Sequence, residues 1–295
     1  MRSILFSLFI FSLILPGCEK VDDPFPPKLE VVDTGIVWDD SVFSGDNESK
    51  RFVLMEEYTG HLCRNCPGGA REISRIVDKY GEEFIPISIH TVDAFAMPLP
   101  GYAPGYPESF SSDFRTESGD IYGSQFSIPS LPAGVVSRRK VNSAFKLNIG
   151  QWETEALKIM GQDAEANINI TNFYDDSTKT FRVRIRIDWL KDYAGDLNLQ
   201  VQLLQDSIVA WQEDGGDFIS DYVHRHMFRE AVNGTWGDLL PAAPAGEMTE
   251  MVYTREFDPK GIGYVIEHMS IVAFLYKEAP DYEVMQVNEA HLIHQ

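Results

Sequence analysis

Two thiols three residues apart are the most reactive pair in this sequence: Cys63-Arg64-Asn65-Cys66, followed at once by Pro67. Such spacing lets the pair cycle between dithiol and disulfide. The chemistry expected of it is exchange, in which a Cys63 thiolate attacks a substrate disulfide and Cys66 resolves the mixed disulfide. A zinc site is one alternative, but it needs two more ligands, and only His61 and His90 lie near in sequence. A purely structural disulfide is the other, because exported thiols tend to oxidise. A weaker candidate centre is the pair His224 and His226 in Tyr222-Val223-His224-Arg225-His226. On a strand both would share one face and could chelate a metal, although the sequence offers no third ligand. Hydrogen-bonded structural histidines are the competing reading.

The flanking segments must position the thiols. Residues Arg51 to Tyr58 are rich in Val, Leu, Met and aromatics and predict a buried strand. From Pro67 to Tyr80, Ala70, Ile73, Val77 and Tyr80 recur at helical spacing, and Gly81 supplies a C-cap. Phe84 to Ile89 predicts a second strand, in which Pro86 implies an edge or a bulge. The thiols therefore sit where a strand hands over to a helix N-terminus. Free N–H groups and the helix dipole there lower the pKa of the leading Cys63.

This arrangement resembles the thioredoxin superfamily. The resemblance implies that Glu57, six residues ahead of Cys63, is a buried acid that manages protons. A solvent-facing carboxylate is the alternative. It also implies that Phe126 to Pro132 ends in a cis-proline beside the disulfide, at Pro132. Ala133 to Ser137 then closes the unit as a strand. A helix from about Ile149 to Met160 follows, with Trp152 and Ala156 on its apolar face. Arg64-Asn65 differs from the Gly-Pro and Pro-His pairs of the best-known oxidoreductases, which leaves the direction of transfer open. An insertion near 93–123 alternates Pro98, Pro100, Pro104 and Pro107 with Gly101, Gly105, Tyr102 and Tyr106. That composition excludes regular structure. It reads as a loop that walls the thiols and selects a partner, or as an irregular packed loop.

The third cysteine has a different use. Ile4 to Leu15 is an apolar run behind Arg2, too short at about 18 Å of helix for a hydrocarbon core of about 30 Å. It reads as a signal peptide over residues 1–17. Leu15-Pro16-Gly17-Cys18 resembles the lipobox of bacterial lipoproteins, which implies lipidation of Cys18 and a membrane partner reached through acyl chains. Residues 18–47 follow as tether and linker. Glu19-Lys20-Val21-Asp22-Asp23 resembles acidic surface-export signals, or is a solvated spacer, and Pro24, Pro26 and Pro27 stiffen it.

The chain has 295 residues, room for about two domains. Its 25 basic against 45 acidic residues give a net charge of −20, which argues against a nucleic-acid partner. From Ala166 the pattern switches to period two. Ala166, Ile168 and Ile170 precede an Asp175-Asp176-Ser177 turn, and Phe181, Val183, Ile185, Ile187 and Trp189 follow it. Leu197 to Leu203, Tyr264 to Tyr276 and Glu283 to Val287 continue the pattern. The fold class expected is an α/β thioredoxin-like domain over 48–162 followed by an antiparallel β-sandwich-like domain over 163–295.

Taken together, the motifs are similar to the 28-kDa outer-membrane-protein family of Bacteroidetes lipoproteins. The residues that carry this are the lipobox, Glu56-Glu57-Tyr58-Thr59-Gly60-His61 running into Cys63 to Pro67, Pro132 to Arg138, and His224-Arg225-His226 with Arg229. Thr235-Trp236-Gly237 and Val284-Met285-Gln286-Val287 complete the match. The resemblance implies an outer-membrane location, on the periplasmic face or the cell surface; no cofactor is expected from the sequence. Two functions are expected to compete. One is a thiol–disulfide oxidoreductase acting on protein thiols or disulfides through Cys63 and Cys66. The other is a surface binding or adhesion lipoprotein for a protein or glycan, in which the disulfide is structural.

Overall fold

The strand β1 (Val53–Thr59) is buried along its whole length, its two glutamates included. The computed structural model describes residues 50–256, 259 and 263–293. The expected signal peptide 1–17, Cys18 and nearly all of the segment preceding β1 lie outside the described residues. After β1 the chain enters helix α1 (Cys66–Tyr80), where Pro67 sits in the first turn and so forfeits no helical hydrogen bond. Gly81, at φ 58°, ends that helix with its N–H on the Val77 carbonyl. Strand β2 (Phe84–His90) then runs parallel to β1.

Two helices follow, α2 (Asp93–Ala96) and α3 (Glu117–Gln125). The first lies inside the insertion near 93–123 expected to be irregular, and the second begins there. Thr116 caps it by accepting the Gly119 N–H at 3.0 Å, so regular structure resumes once the Pro/Gly stretch ends. Strand β3 (Ala133–Val136) lies antiparallel to β1. The expected helix of 149–160 is a 3-10 turn, Ile149–Gln151, running into α4 (Trp152–Leu157), and Trp152 and Ala156 are its buried residues.

The remainder is strand. The hairpin β4 (Ala166–Asp175) and β5 (Thr180–Trp189) turns on Asp175, whose Oδ1 accepts the backbone N–H groups of Ser177 and Thr178. Then come β6 (Leu197–Gln205), β7 (Ile208–Asp214), β8 (Asp217–His224) and β9 (Met227–Ala231). Strands β10 (Asp238–Leu240), β11 (Met248–Glu256), β12 (Met269–Lys277) and β13 (Val284–His291) complete the described chain.

Three sheets result. A mixed sheet of eight strands runs β13-β12-β6-β9-β2-β1-β3, with β10 added on β6. An antiparallel sheet runs β11-β5-β4, and β7 pairs with β8 as a projecting ribbon. Strands from both sides of residue 163 thus share the largest sheet. Pro86 is paired with β1 only, because β2 meets β9 at Ser88 alone, so its missing N–H costs no ladder bond on that side.

Three apolar clusters fill the layers. Ile168, Ile170, Val183 and Ile185 of the three-stranded sheet pack on Leu199, Val201, Ile271 and Ala273 of the large sheet. The opposite face of the large sheet joins Ile87, Tyr122, Phe126, Phe228, Val272 and Phe274. Helices α1 and α4 bury Ile73, Ile76, Trp152 and Ala156 against Val53 and Met55. Strand β12 contributes alternate residues to two of these clusters, which explains its near-continuous apolar sequence.

Candidate functional site

The turn Gly60 to Asn65 delivers the thiols to the first turn of α1, where the Cys66 N–H reaches the Cys63 carbonyl at 3.0 Å. Cys63 and Cys66 are joined as a disulfide with Cα atoms 5.3 Å apart. Neither sulfur-bearing residue is open to solvent, at 3% and 2% exposure. The Leu131–Pro132 bond, at the entrance to β3, is cis.

The cover over Cys63 is the β7–β8 ribbon, and it is fastened to the thiol turn through the backbone. Glu213 donates its N–H to the His61 carbonyl at 2.9 Å, and Gly215 donates to the Arg64 carbonyl at 2.9 Å. The Arg64 guanidinium returns a bond to the Gly215 carbonyl at 3.0 Å. Gln212, itself buried, donates Nε2 to the Cys63 carbonyl at 3.2 Å. Arg71 of α1 meets Asp214 at 2.8 Å. The Pro/Gly/Tyr-rich segment locks onto the same ribbon with aromatic rings: Tyr106 on Trp211 at 5.1 Å and Tyr102 on Phe218 at 5.2 Å.

Glu57 lies on the buried side of the thiol turn. Its Oε2 accepts a hydrogen bond from Ser88 Oγ at 3.2 Å, while Oε1 has no partner. Burial raises its pKa from 4.5 to about 8, against a smaller lowering by the Ser88 hydroxyl, so it carries a proton at neutral pH. Gly69 of α1 makes room for this carboxyl. A Cβ at that position would stand 2.5 Å from Glu57 Oε1, 3.0 Å from the Trp152 ring and 3.4 Å from Pro132. Gly69→Ala, which in an ordinary helix gains up to about 1 kcal/mol, is therefore expected to cost about 1–3 kcal/mol through overpacking. Thermal denaturation of the two proteins side by side measures the sign.

Three histidines gather behind the disulfide. His90 stands 5.3 Å from Phe114, 5.5 Å from His224 and 6.4 Å from His61, ring to ring. Both ring nitrogens of His90 are buried without partners, as is Nε2 of His224. Burial, reinforced by its neighbouring histidines, holds His90 well below the ordinary imidazole range. Burial pushes His224 down to about 4. Both are neutral at physiological pH.

A cleft of about 390 Å3 opens beside α1 and reaches these groups. Glu57, Cys66, Ser88, His90, Gln212 and His224 are among its buried members, and its exposed rim includes Arg71, Ser74, Arg75 and Arg225. Cysteine chemistry, an uncharged carboxyl and two neutral imidazoles thus share one solvent-connected space.

His224 and His226 do not share a strand face, contrary to the expectation from their spacing. His224 closes β8, and His226, at φ 50°, lies in the reversal that carries the chain from the ribbon into β9 of the large sheet. His226 turns to Asp206 at 3.7 Å. Among the described residues, no group of three or more His, Cys, Asp or Glu side chains is placed to hold a metal ion. The roles of Gln212 and the ribbon carry no local signal, since Gln212 meets Cys63 across a separation of 149 residues. The same holds for a buried pair on the next strand position: Glu56 and Arg138 meet at 2.7 Å with both side chains fully buried. The guanidinium is enclosed by the rings of Tyr122, Phe126, Phe274 and Tyr276 at 4.9–5.1 Å.

A family model described as outer membrane protein Omp28 matches residues 119–295. Among solved structures, HBP35 of Porphyromonas gingivalis matches with a TM-score of 0.65 at 18% identity, covering 83% of this chain and 76% of that one. At that identity the likeness is one of fold. A protein of Agrobacterium tumefaciens matches at 12% identity with a TM-score of 0.47, covering 83% of this chain and 96% of its own. No protein of curated function matches the chain.

Proposed function

The chain belongs to the Omp28 outer membrane protein family, and from that premise we propose that it is a lipid-anchored thiol–disulfide oxidoreductase. The anchor is Cys18, which holds the protein on the outer membrane through acyl chains, on its periplasmic face or at the cell surface. The redox unit is thioredoxin-like and runs from β1 to α4, within the expected 48–162 segment. Its support is the order strand, Cys-x-x-Cys helix, parallel strand, then cis-Pro132 leading into an antiparallel strand. The β-rich remainder, 163–295, is read as a sandwich-like partner to that unit.

One observation carries the redox reading. A disulfide at a helix N-terminus shares its cleft with Glu57, a buried carboxyl that keeps its proton up to about pH 8. A purely structural bridge has no use for such a group, whereas a departing thiolate needs a proton. The expected result is a reduction potential above about −300 mV and turnover of a model disulfide at least ~10-fold faster than by Cys63→Ser. A potential below that value, with turnover equal to the variant's, overturns the assignment.

The second reading, a binding lipoprotein for a surface protein or glycan, has its own observation. The disulfide is almost fully covered, while Met97, Leu99, Tyr102 and Tyr106 of the neighbouring loop are exposed. On that reading, binding survives replacement of both cysteines.

A further inference from the structure

A protein disulfide that reacts at the leading cysteine of such a motif must dock against it. Here the β7–β8 ribbon occupies that place. Five hydrogen bonds and the Arg71–Asp214 ion pair fasten it over the turn that carries Cys63. Aromatic contacts from Tyr102 and Tyr106 hold it from the other side. The cleft runs between α1 and this ribbon, whose Gln212 and His224 also line it, and Cys66 borders it while Cys63 does not. Its volume of about 390 Å3 suits a small molecule and lies within the usual range of about 300–1,000 Å3 for ligand pockets. Three residues that line it carry buried polar atoms without partners: Glu57 Oε1, both nitrogens of His90, and Nε2 of His224. Groups of this kind are ordinarily satisfied by solvent or a polar ligand.

We propose that the partner of this disulfide is a small-molecule thiol that enters through the cleft and attacks Cys66, reversing the usual order in which the leading cysteine reacts first. The inference rests on the redox reading above. The thiolate of the small thiol attacks Cys66 Sγ, the Cys63–Cys66 bond breaks, and Cys63 departs with the electron pair. A second small thiolate then attacks the outer sulfur of the mixed disulfide, releasing a small disulfide and the Cys66 thiolate. Two small thiols are oxidised, and the protein disulfide is reduced by two electrons. Glu57, protonated and in the same cleft, hands its proton to the Cys66 thiolate. In the opposite direction a small disulfide oxidises the dithiol by the same steps reversed.

The experiment uses the full-length chain. Cys63→Ser and Cys66→Ser are reduced and challenged with hydroxyethyl disulfide, and adducts are located by peptide mass mapping, which separates either thiol from Cys18. The adduct at Cys66 in Cys63→Ser is expected to form at least ~10-fold faster than the adduct at Cys63 in Cys66→Ser. Ser74→Trp, an exposed rim replacement that narrows the mouth, is expected to slow the Cys66 adduct by ~5-fold or more. Insulin disulfides are expected to be reduced by the wild type at the uncatalysed rate. Faster reaction at Cys63, or turnover of insulin equal to that of the small disulfide, overturns the inference and leaves the redox reading standing. A wild-type bridge that neither small nor protein thiols reduce removes the redox reading, and the inference with it.

Discussion

Glu56→Ala is expected to cost about 3–5 kcal/mol of folding stability, because it strands a buried guanidinium. Arg138 lies with no exposed surface, and among the described residues its ion-pair partner is Glu56 alone, met through Nε at 3.0 Å and Nη2 at 2.7 Å. Its Nη1 already lacks a hydrogen-bond acceptor. Four aromatic rings surround the cation and contribute their quadrupoles, but these cannot replace a carboxylate. Against a typical total stability of roughly 5–15 kcal/mol, the loss leaves the variant marginal at best. Removing both charges has a different outcome. Glu56→Leu combined with Arg138→Met takes away the desolvation cost together with the attraction, so the double variant is expected to recover most of the stability. Urea denaturation of the single and double variants closes the cycle. A single-variant loss under about 1 kcal/mol sinks the idea that the pair anchors β1 to the loop after β3.

The second large effect is a pH profile. Glu57 titrates near 8 in the folded protein and near 4.5 when exposed, with burial as the main cause. Between those values the folded state holds a proton that the unfolded chain has released, so stability falls as pH rises through that window. The full stabilisation is present below about 4.5 and is gone above about 8. A shift of that size corresponds to something on the order of 4–5 kcal/mol. Neutral histidines work in the opposite sense at lower pH. His224, depressed to about 4, favours folding progressively as pH climbs from there to the ordinary imidazole range. The raw profile therefore mixes two trends. Glu57→Gln separates them, since glutamine keeps shape and neutrality without titrating. Wild type and variant are expected to differ little at pH 4, and the variant is expected to gain several kcal/mol on wild type by pH 9. A constant difference between the two across that range would falsify the buried, protonated state of Glu57.

Local patterns made much of the site legible. The strand–helix–strand frame followed from periodicity, with Pro67 and Gly81 marking the ends of α1. The β4–β5 hairpin followed from alternation around an Asp-rich turn. Tertiary partners were not legible, because nothing within a few residues encodes them. Glu56 and Glu57 are adjacent in sequence, yet one faces a caged arginine and the other an unpaired cavity, purely through strand alternation. The histidine pair misled for a related reason. A period-two reading assumes an unbroken strand, and the strand ends at His224 with a bend at His226. The cover over Cys63 was equally invisible, since a ribbon near residue 212 has no signature that aims it at residue 63.

The large sheet has a consequence in time as well as in space. Its strand order makes the opening of the described chain depend on its close: Arg51 binds Glu283, and Gln286 bonds both Lys50 and Phe52. Synthesis delivers β1, α1 and β2 long before β9, β12 and β13 exist. Until those strands arrive, β2 presents an open edge and the Phe126–Phe274 face stays wet. A topology so dominated by distant pairings folds slowly and leaves half-built intermediates prone to aggregation. The thiols consequently meet their surroundings twice. The nascent chain offers Cys63 and Cys66 to any oxidant, whereas in the finished protein the ribbon is bonded to the turn that carries Cys63 and Cys66 borders the cleft.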